Sequence, residues 1–123
     1  MWGEVIKVCK DIMQHYFNDK KEKKDKLSKL FLAISDIIME TCNKLEQDEY
    51  PHYHCAIMDT LSQELIMFST GVLDNEKSIK FTDSLFECSR LEREFAGRKD
   101  SVTIPKLRSI AGEFKGLSML LES

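Results

Sequence analysis

The fold class follows from one stretch of the sequence, residues 27–45, which reads LSKLFLAISDIIMETCNKL. Apolar side chains recur in it at intervals of three and four residues, which is the spacing of one face of an α-helix. The pattern predicts an amphipathic helix over about residues 27–47. The residues of its inward face are Leu27, Leu30, Phe31, Ile34, Ile37, Ile38, Thr41, Cys42 and Leu45.

A second amphipathic stretch precedes this one at about residues 2–17. The segment between them, residues 18–26, reads NDKKEKKDK and contains no apolar side chain. Tyr16 on the first apolar face and Leu27 on the second are eleven positions apart, which is about three full helical turns and leaves the two faces in phase. Two structures stay open: one helix over residues 2–47 with a solvated middle, or two helices joined by a turn at Asn18–Asp19.

The apolar face of residues 2–17 is a candidate interaction surface. In a continuous helix it would project beyond the bundle and would need a partner to cover it. Residues 1–25 would then form an N-terminal helical extension of a core module at 26–123, within a single domain that spans residues 1–123. The candidate interaction residues on this face are Trp2, Ile6 and Met13.

Prolines, glycines and capping residues divide the remaining chain into three further helices. Pro51 predicts a tight corner followed by a helix over about residues 52–70, and Gly71 fits the left-handed position that ends it. The signals that bound the last two helices are Asp74 or Asn75, Gly97, Ser101 or Thr103, and Pro105. The sequence therefore predicts an all-α bundle of four to five helices.

Composition and charge exclude several classes of protein. Of the 123 residues, 42% are hydrophobic and 32% are charged, which fits one globular domain better than a disordered chain. The net charge of -3 gives no basic field that would attract nucleic acid. No stretch approaches the ~20 apolar residues that span a bilayer, and the first residues lack a signal-peptide pattern. We therefore expect no nucleic-acid partner and no integral membrane association.

The cysteines indicate a reducing compartment. Cys9, Cys42, Cys55 and Cys88 are widely spaced, form no C-x-x-C pair and lie among apolar neighbours. A free thiol in such surroundings packs as a small hydrophobic group. We therefore expect four reduced, buried cysteines and a cytoplasmic protein.

His52, His54 and Cys55 form the densest group of residues that could ligate a metal. On a helix, however, His52 and His54 point roughly 200° apart, and no second His/Cys pair lies at zinc-finger spacing. A metal- or small-ligand-binding bundle centred on these three residues is therefore the alternative function. Phosphate-loop and dinucleotide motifs are absent, and no spacing selects a catalytic set, so we predict no enzymatic activity and no cofactor.

The charged run at residues 89–95, SRLEREF, contains another candidate site. The spacing of its apolar neighbours turns Glu92 toward the edge of the core. A partly buried carboxylate there needs a donor, which Arg93, Arg90 or His52 could supply. A solvated charge run is the other interpretation, and in both cases the role would be structural or recognitive.

Residues 49–58 read EYPHYHCAIM, and the motif EYPHxxCA within them is the most specific pattern in the chain. With residues 27–45, 85–95 and 110–121, it makes about four fifths of the chain resemble a small helical module of bacteria, notably cyanobacteria. The residues that match the motif are Tyr50, Pro51, His52, Cys55 and Ala56. Tyr53 departs from it, since such modules usually have glycine after the histidine, and the match at residues 91–93 is loose.

Modules of this kind are similar to effector-associated, death-domain-like adaptors, which recruit or assemble other proteins in signalling or conflict systems. The resemblance implies an all-helical, non-enzymatic adaptor. Together with the apolar face of residues 2–17, it predicts a protein partner held through helical surfaces, with a homodimer as one form of such contact.

Overall fold

The computed structural model describes residues 2–89 and 103–122, and these residues form α-helices joined by short connections. The prediction of an all-α bundle is confirmed. Within the described ranges no strand is formed, and a single isolated bridge pairs Thr70 with Leu73. The helices are α1 (Trp2–Tyr16), α2 (Lys21–Glu46), α3 (His52–Ser69), α4 (Asn75–Ser89) and α5 (Thr103–Glu122).

A turn separates α1 from α2, so the single helix over residues 2–47 is wrong and the two-helix alternative is confirmed. The backbone N–H of Asp19 donates to the carbonyl of Tyr16 at 3.0 Å. The carboxylate of Asp19 accepts from the N–H of Lys20 at 2.7 Å, and Lys20 has extended backbone angles. Asn and Asp favour such turns because their side chains bond nearby backbone groups. The charged residues that follow are good helix formers, which explains why α2 begins at Lys21 rather than near Leu27.

The five helices close into a ring around one core. Each helix packs mainly against two others, in the order α1, α4, α3, α2, α5 and back to α1. The direct contact between α1 and α2 is small, so these two consecutive helices are not each other's main partners. Aromatic side chains from three helices meet in the core that these helices enclose. The ring centroid of Phe114 lies 6.3 Å from that of Trp2 and 6.1 Å from that of Phe31.

The most extensive contact joins α2 and α5, which run antiparallel. Two buried serines of α2 fix their register, because Ser28 Oγ lies 3.0 Å from the Ser118 carbonyl and Ser35 Oγ lies 2.7 Å from the Ala111 carbonyl. Small side chains let two helix backbones approach closely, and each hydroxyl finds an acceptor instead of remaining unpaired in the core. We call this contact the α2–α5 seam, and it is the largest helix–helix contact of the bundle.

Local signals set the ends of the other helices. Gly71 has a φ of 90°, the left-handed conformation predicted for the residue that ends α3. Asp74 caps α4, since its carboxylate accepts from the N–H of Lys77 at 2.8 Å. The predicted continuation of the fourth helix to Gly97, and a cap at Ser101, lie outside the described residues.

The four cysteines are buried thiols, as predicted. Burial raises the pKa of the Cys9 and Cys42 thiols, so both stay in the neutral form at neutral pH. A neutral, enclosed thiol is a poor nucleophile, and these two cysteines contribute to packing. Among the described helices, none combines the length and the apolar character needed to cross a bilayer.

Candidate interaction site

The connection between α2 and α3 turns a group of aromatic side chains outward. Asp48 has a φ of 63°, a left-handed conformation that Asp tolerates better than most residues. Pro51 then starts α3, which confirms the predicted corner. Around Pro51, the side chains of Tyr50, His52 and Tyr53 are exposed, and we call these three residues the aromatic corner.

Ring contacts order the aromatic corner. The rings of Tyr50 and His52 have centroids 4.1 Å apart and are tilted by 43°. Tyr53 is 73% exposed, which equals the highest value for any large hydrophobic side chain in the described residues. Its ring contacts the buried ring of His54 edge-on at 5.5 Å. The corner therefore presents large apolar surface while its rings remain in contact with neighbours.

Buried residues beneath the aromatic corner support it. Pro51, His54 and Cys55 point inward, and His54 is only 9% exposed. His54 Nε2 lies 3.2 Å from Glu40 Oε2 on α2, which ties the first turn of α3 to its neighbour. The N–H of Cys55 donates to the carbonyl of Pro51 at 3.0 Å. The backbone that carries the exposed rings is thus held from the inside.

Two ion pairs lie at the end of α2, near these buried residues. Lys44 Nζ lies 2.8 Å from Glu49 Oε2, across the turn. Arg108 of α5 donates to Glu46 Oε1 at 2.8 Å and to Asn43 Oδ1 at 3.2 Å. The hydrogen bond to Glu46 raises the pKa of the Arg108 guanidinium above its ordinary value. These contacts fasten α5 and the turn to the last part of α2.

The candidate ligands His52, His54 and Cys55 do not converge. His52 is exposed beside Tyr50, His54 pairs with Glu40, and Cys55 is 3% exposed inside the core. In residues 2–89 and 103–122, no three His, Cys, Asp or Glu side chains gather as a metal site would require. The described residues therefore offer no geometric support for a metal site at His52, His54 and Cys55.

No protein family, curated protein or solved structure matches this chain. The resemblance to effector-associated adaptor modules is therefore not tested by these comparisons and stays a prediction. Among its matched residues, Tyr50 and His52 are exposed, whereas Pro51 and Cys55 are buried. The motif thus contains both the exposed rings and the support beneath them.

The N-terminal candidates occupy a different place from the one expected. Trp2, Ile6 and Met13 are all at most 9% exposed and belong to the same core as α2 and α5. The apolar face of α1 is buried against α4 and α5 and is not accessible to a partner. This corrects the expectation of a free docking face on α1. Glu92 and Arg93 lie outside the described residues.

Sequence reasoning missed Tyr53 and the contact between His54 and Glu40. The signal for Tyr53 was present, because it precedes Cys55 by two positions and therefore lies roughly 200° around α3 from this core residue. The partner of His54 could not be found in this way. Glu40 belongs to another helix, and no periodicity in one helix identifies the residue that faces it.

Proposed function

We propose that this chain is a non-enzymatic protein-interaction module that holds its partner through the aromatic corner. The observation that carries the proposal is the exposure of Tyr53, beside the mutually tilted rings of Tyr50 and His52 and above the buried residues Pro51, His54 and Cys55. Tyrosine is enriched among the few residues that dominate protein-protein binding energies. Its ring offers much contact area while only two side-chain torsions must be fixed.

The support beneath the corner favours binding. Ordering of side chains and loops on association costs about 0.5–1.5 kcal/mol for each flexible side chain that is immobilised. The ring contacts of Tyr50 and Tyr53, and the 3.2 Å contact between His54 Nε2 and Glu40 Oε2, restrict the corner before any partner arrives. A partner would therefore meet a surface that is already largely in its bound arrangement.

The charges around the corner indicate a partner with basic groups. Carboxylates outnumber cations at the end of α2 and in the turn, and a tyrosine ring attracts a cation over its face. Complementary charge of this kind increases the rate and specificity of association. The charged residues concerned are Glu40, Glu46, Asp48 and Glu49 against Lys44 and Arg108. We propose a protein segment that presents Lys or Arg beside an apolar side chain.

Two further parts of the proposal rest on the sequence. The resemblance to effector-associated modules supports an adaptor role in a bacterial signalling or conflict system. Four buried cysteine thiols, widely spaced in the sequence, support a location in the reducing cytoplasm.

Photo-crosslinking tests the proposed surface. Benzoylphenylalanine replaces Tyr53 in one variant and Met67 in a control variant, and each is irradiated in cells of the source organism. The control is closely matched, since both residues lie on α3 and both are 73% exposed. We expect a discrete crosslinked protein from position 53 and none from position 67. The same products from both positions, or none from either, would contradict the proposal.

A further inference from the structure

Helix α1 is joined to the bundle by a short turn but packs on distant parts of the chain. Its main contacts are with α4 and α5, and its contact with α2, the next helix along the chain, is small. The ring contact of Trp2 with Phe114 and the hydrogen bond from the Tyr16 hydroxyl to the Phe68 carbonyl at 3.2 Å both join residues far apart in sequence. An α1 helix from a second copy of the chain could therefore occupy this place with the same contacts.

The turn between α1 and α2 is close to helical geometry. Its residues, 17–20, include no glycine or proline, and none of them has a positive φ. The N–H of Asp19 bonds the carbonyl three residues before it, one residue short of the α-helical spacing. Lys20 has a φ of -55°, which suits an α-helix, and a ψ of 141°, which is extended. At Lys20, therefore, only ψ must rotate for the helix to continue.

The apolar faces of α1 and α2 are in phase across this turn. Tyr16 and Leu27 are eleven positions apart, which is about three full helical turns. If residues 2–46 formed one straight helix, the buried faces of both halves would therefore point to the same side. In the chain by itself the turn, and not this spacing, decides how α1 is oriented.

A symmetric dimer with exchanged α1 helices requires this phase. In the ring, α5 separates α1 from α2 on one side and α4 with α3 separates them on the other, so their apolar faces point toward each other across the core. When two straight helices of residues 2–46 lie antiparallel about a two-fold axis at the turn, the first half of each is opposite the second half of the other. Both cores then lie between the two long helices, which is possible only if each helix has its apolar faces on one side.

We propose that two copies of this chain exchange α1, so that residues 2–46 of each copy become one long helix and each α1 packs on α4 and α5 of the other copy. The aromatic corner lies at the other end of α2 and is unchanged by the exchange, so the dimer carries two corners. The inference goes beyond the proposed function, because it predicts association of the purified chain with no other protein present.

Proline at position 21 tests the long helix. Lys21 is the first residue of α2, where proline is favoured, and the extended ψ of Lys20 suits a residue before proline. Inside a long helix the same proline would remove a hydrogen bond and clash with the preceding turn. Lys21→Pro should therefore keep the melting temperature of the monomer but weaken the dimer at least about a hundredfold. Asn75→Pro, at the first residue of α4, is the matched control and should leave the dimer unchanged.

Alanine in the turn tests the opposite change. Asn18→Ala/Asp19→Ala removes the hydrogen bond from the Lys20 N–H to the Asp19 carboxylate and introduces better helix formers. This double variant should strengthen the dimer at least about tenfold. Sedimentation equilibrium measures the dimer for all these chains, after incubation of concentrated protein near its melting temperature so that α1 has time to exchange.

Crosslinking tests whether the dimer has exchanged α1. Glu4 Oε2 on α1 lies 3.5 Å from Ser84 Oγ on α4, whereas the four natural cysteines are buried. In the double variant Glu4→Cys/Ser84→Cys, a short bis-maleimide should join the new thiols within one chain of the monomer but between the two chains of the dimer, which then stays covalent on a denaturing gel.

Three results would overturn the proposal. The first is a dimer that the bis-maleimide joins only within each chain. The second is a wild-type chain that stays monomeric at millimolar concentration after the incubation. The third is a Lys21→Pro chain that dimerises as strongly as the wild-type chain.

Discussion

The α2–α5 seam and the aromatic corner both lie beside α2, but the seam buries its side chains whereas the corner exposes them. At the seam, Phe31, Ser35 and Phe114 are buried and the serine hydroxyl is satisfied by a carbonyl of α5. At the corner, Tyr53 is mostly exposed and only the residues beneath it are buried. The comparison predicts that stability and the proposed recognition belong to different residues of the bundle, so substitutions should separate them.

The largest effect is expected at the seam, from Phe114→Ala. Phe114 is fully buried and its ring contacts those of Trp2 and Phe31. Removal of a buried phenylalanine ring leaves a cavity and lowers the free energy of unfolding by about 3–5 kcal/mol. Urea denaturation followed by circular dichroism measures this loss. A loss below about 1 kcal/mol would show that the seam does not dominate the stability of the bundle.

Alkaline pH should weaken the seam through Cys42. Burial raises the pKa of this thiol in the folded state, whereas the unfolded thiol ionises at about pH 8.5. The neutral Cys42 thiol therefore contributes fully to the free energy of unfolding below about pH 8.5. As the pH rises from there toward the folded-state pKa, this free energy falls by at most about 1.4 kcal/mol per pH unit.

Denaturation at pH 7 to 10 measures this dependence, with Cys42→Ala as the reference. The wild-type chain should lose stability more steeply than the variant above about pH 8.5. If the free energy of unfolding falls equally with pH in the two proteins, burial of Cys42 does not raise the pKa of its thiol, which would contradict the prediction.

A smaller loss should follow from Ser35→Ala at the seam. Ser35 Oγ donates to the Ala111 carbonyl at 2.7 Å, and a single hydrogen bond contributes about 1 kcal/mol to stability. Thermal and urea unfolding of the variant measure the difference. Thr60→Ala is a control, because the Thr60 hydroxyl also bonds a backbone carbonyl but is exposed on α3. A control that loses as much as Ser35→Ala would contradict a special role for the buried bond.

The smallest effect on stability is expected at the corner, from Tyr53→Ser. Most of the Tyr53 side chain is in water, and exposed substitutions usually change the free energy of unfolding by less than about 0.5 kcal/mol. Urea denaturation should place the variant within that margin of the wild-type chain. A loss comparable to that of Phe114→Ala would mean that the corner is part of the core.

Much of this fold could be predicted from the apolar periodicity, and the missing parts have physical reasons. The stripes at residues 2–17, 27–47 and 52–70 identify helices because a 3.6-residue period marks the side that must be buried. The break at Asn18–Asp19 stayed open because the lysines and glutamates around it suit a helix and a solvated turn equally. The same period does not say which helix covers a stripe, and so the apolar face of α1 was taken for a free surface.

For the candidate site, too, the sequence predicts some of the residues but not the contacts that hold them. The sequence singles out Tyr50, Pro51 and His52 because they belong to the EYPHxxCA motif, which is a local pattern. The anchoring of His54 by Glu40 and of Glu46 by Arg108 depends on the ring order of the helices, and no local pattern contains it.

The most direct test of the central claim is the affinity of the crosslinked partner for two single variants, Tyr53→Ser and Met67→Ser, measured by isothermal titration calorimetry. Removal of a central binding residue costs about 2 kcal/mol or more, so Tyr53→Ser should weaken binding by about thirtyfold or more. Met67→Ser, which removes an equally exposed side chain from the same helix, should bind like the wild-type chain. Equal affinities for the two variants would contradict the assignment of recognition to the aromatic corner.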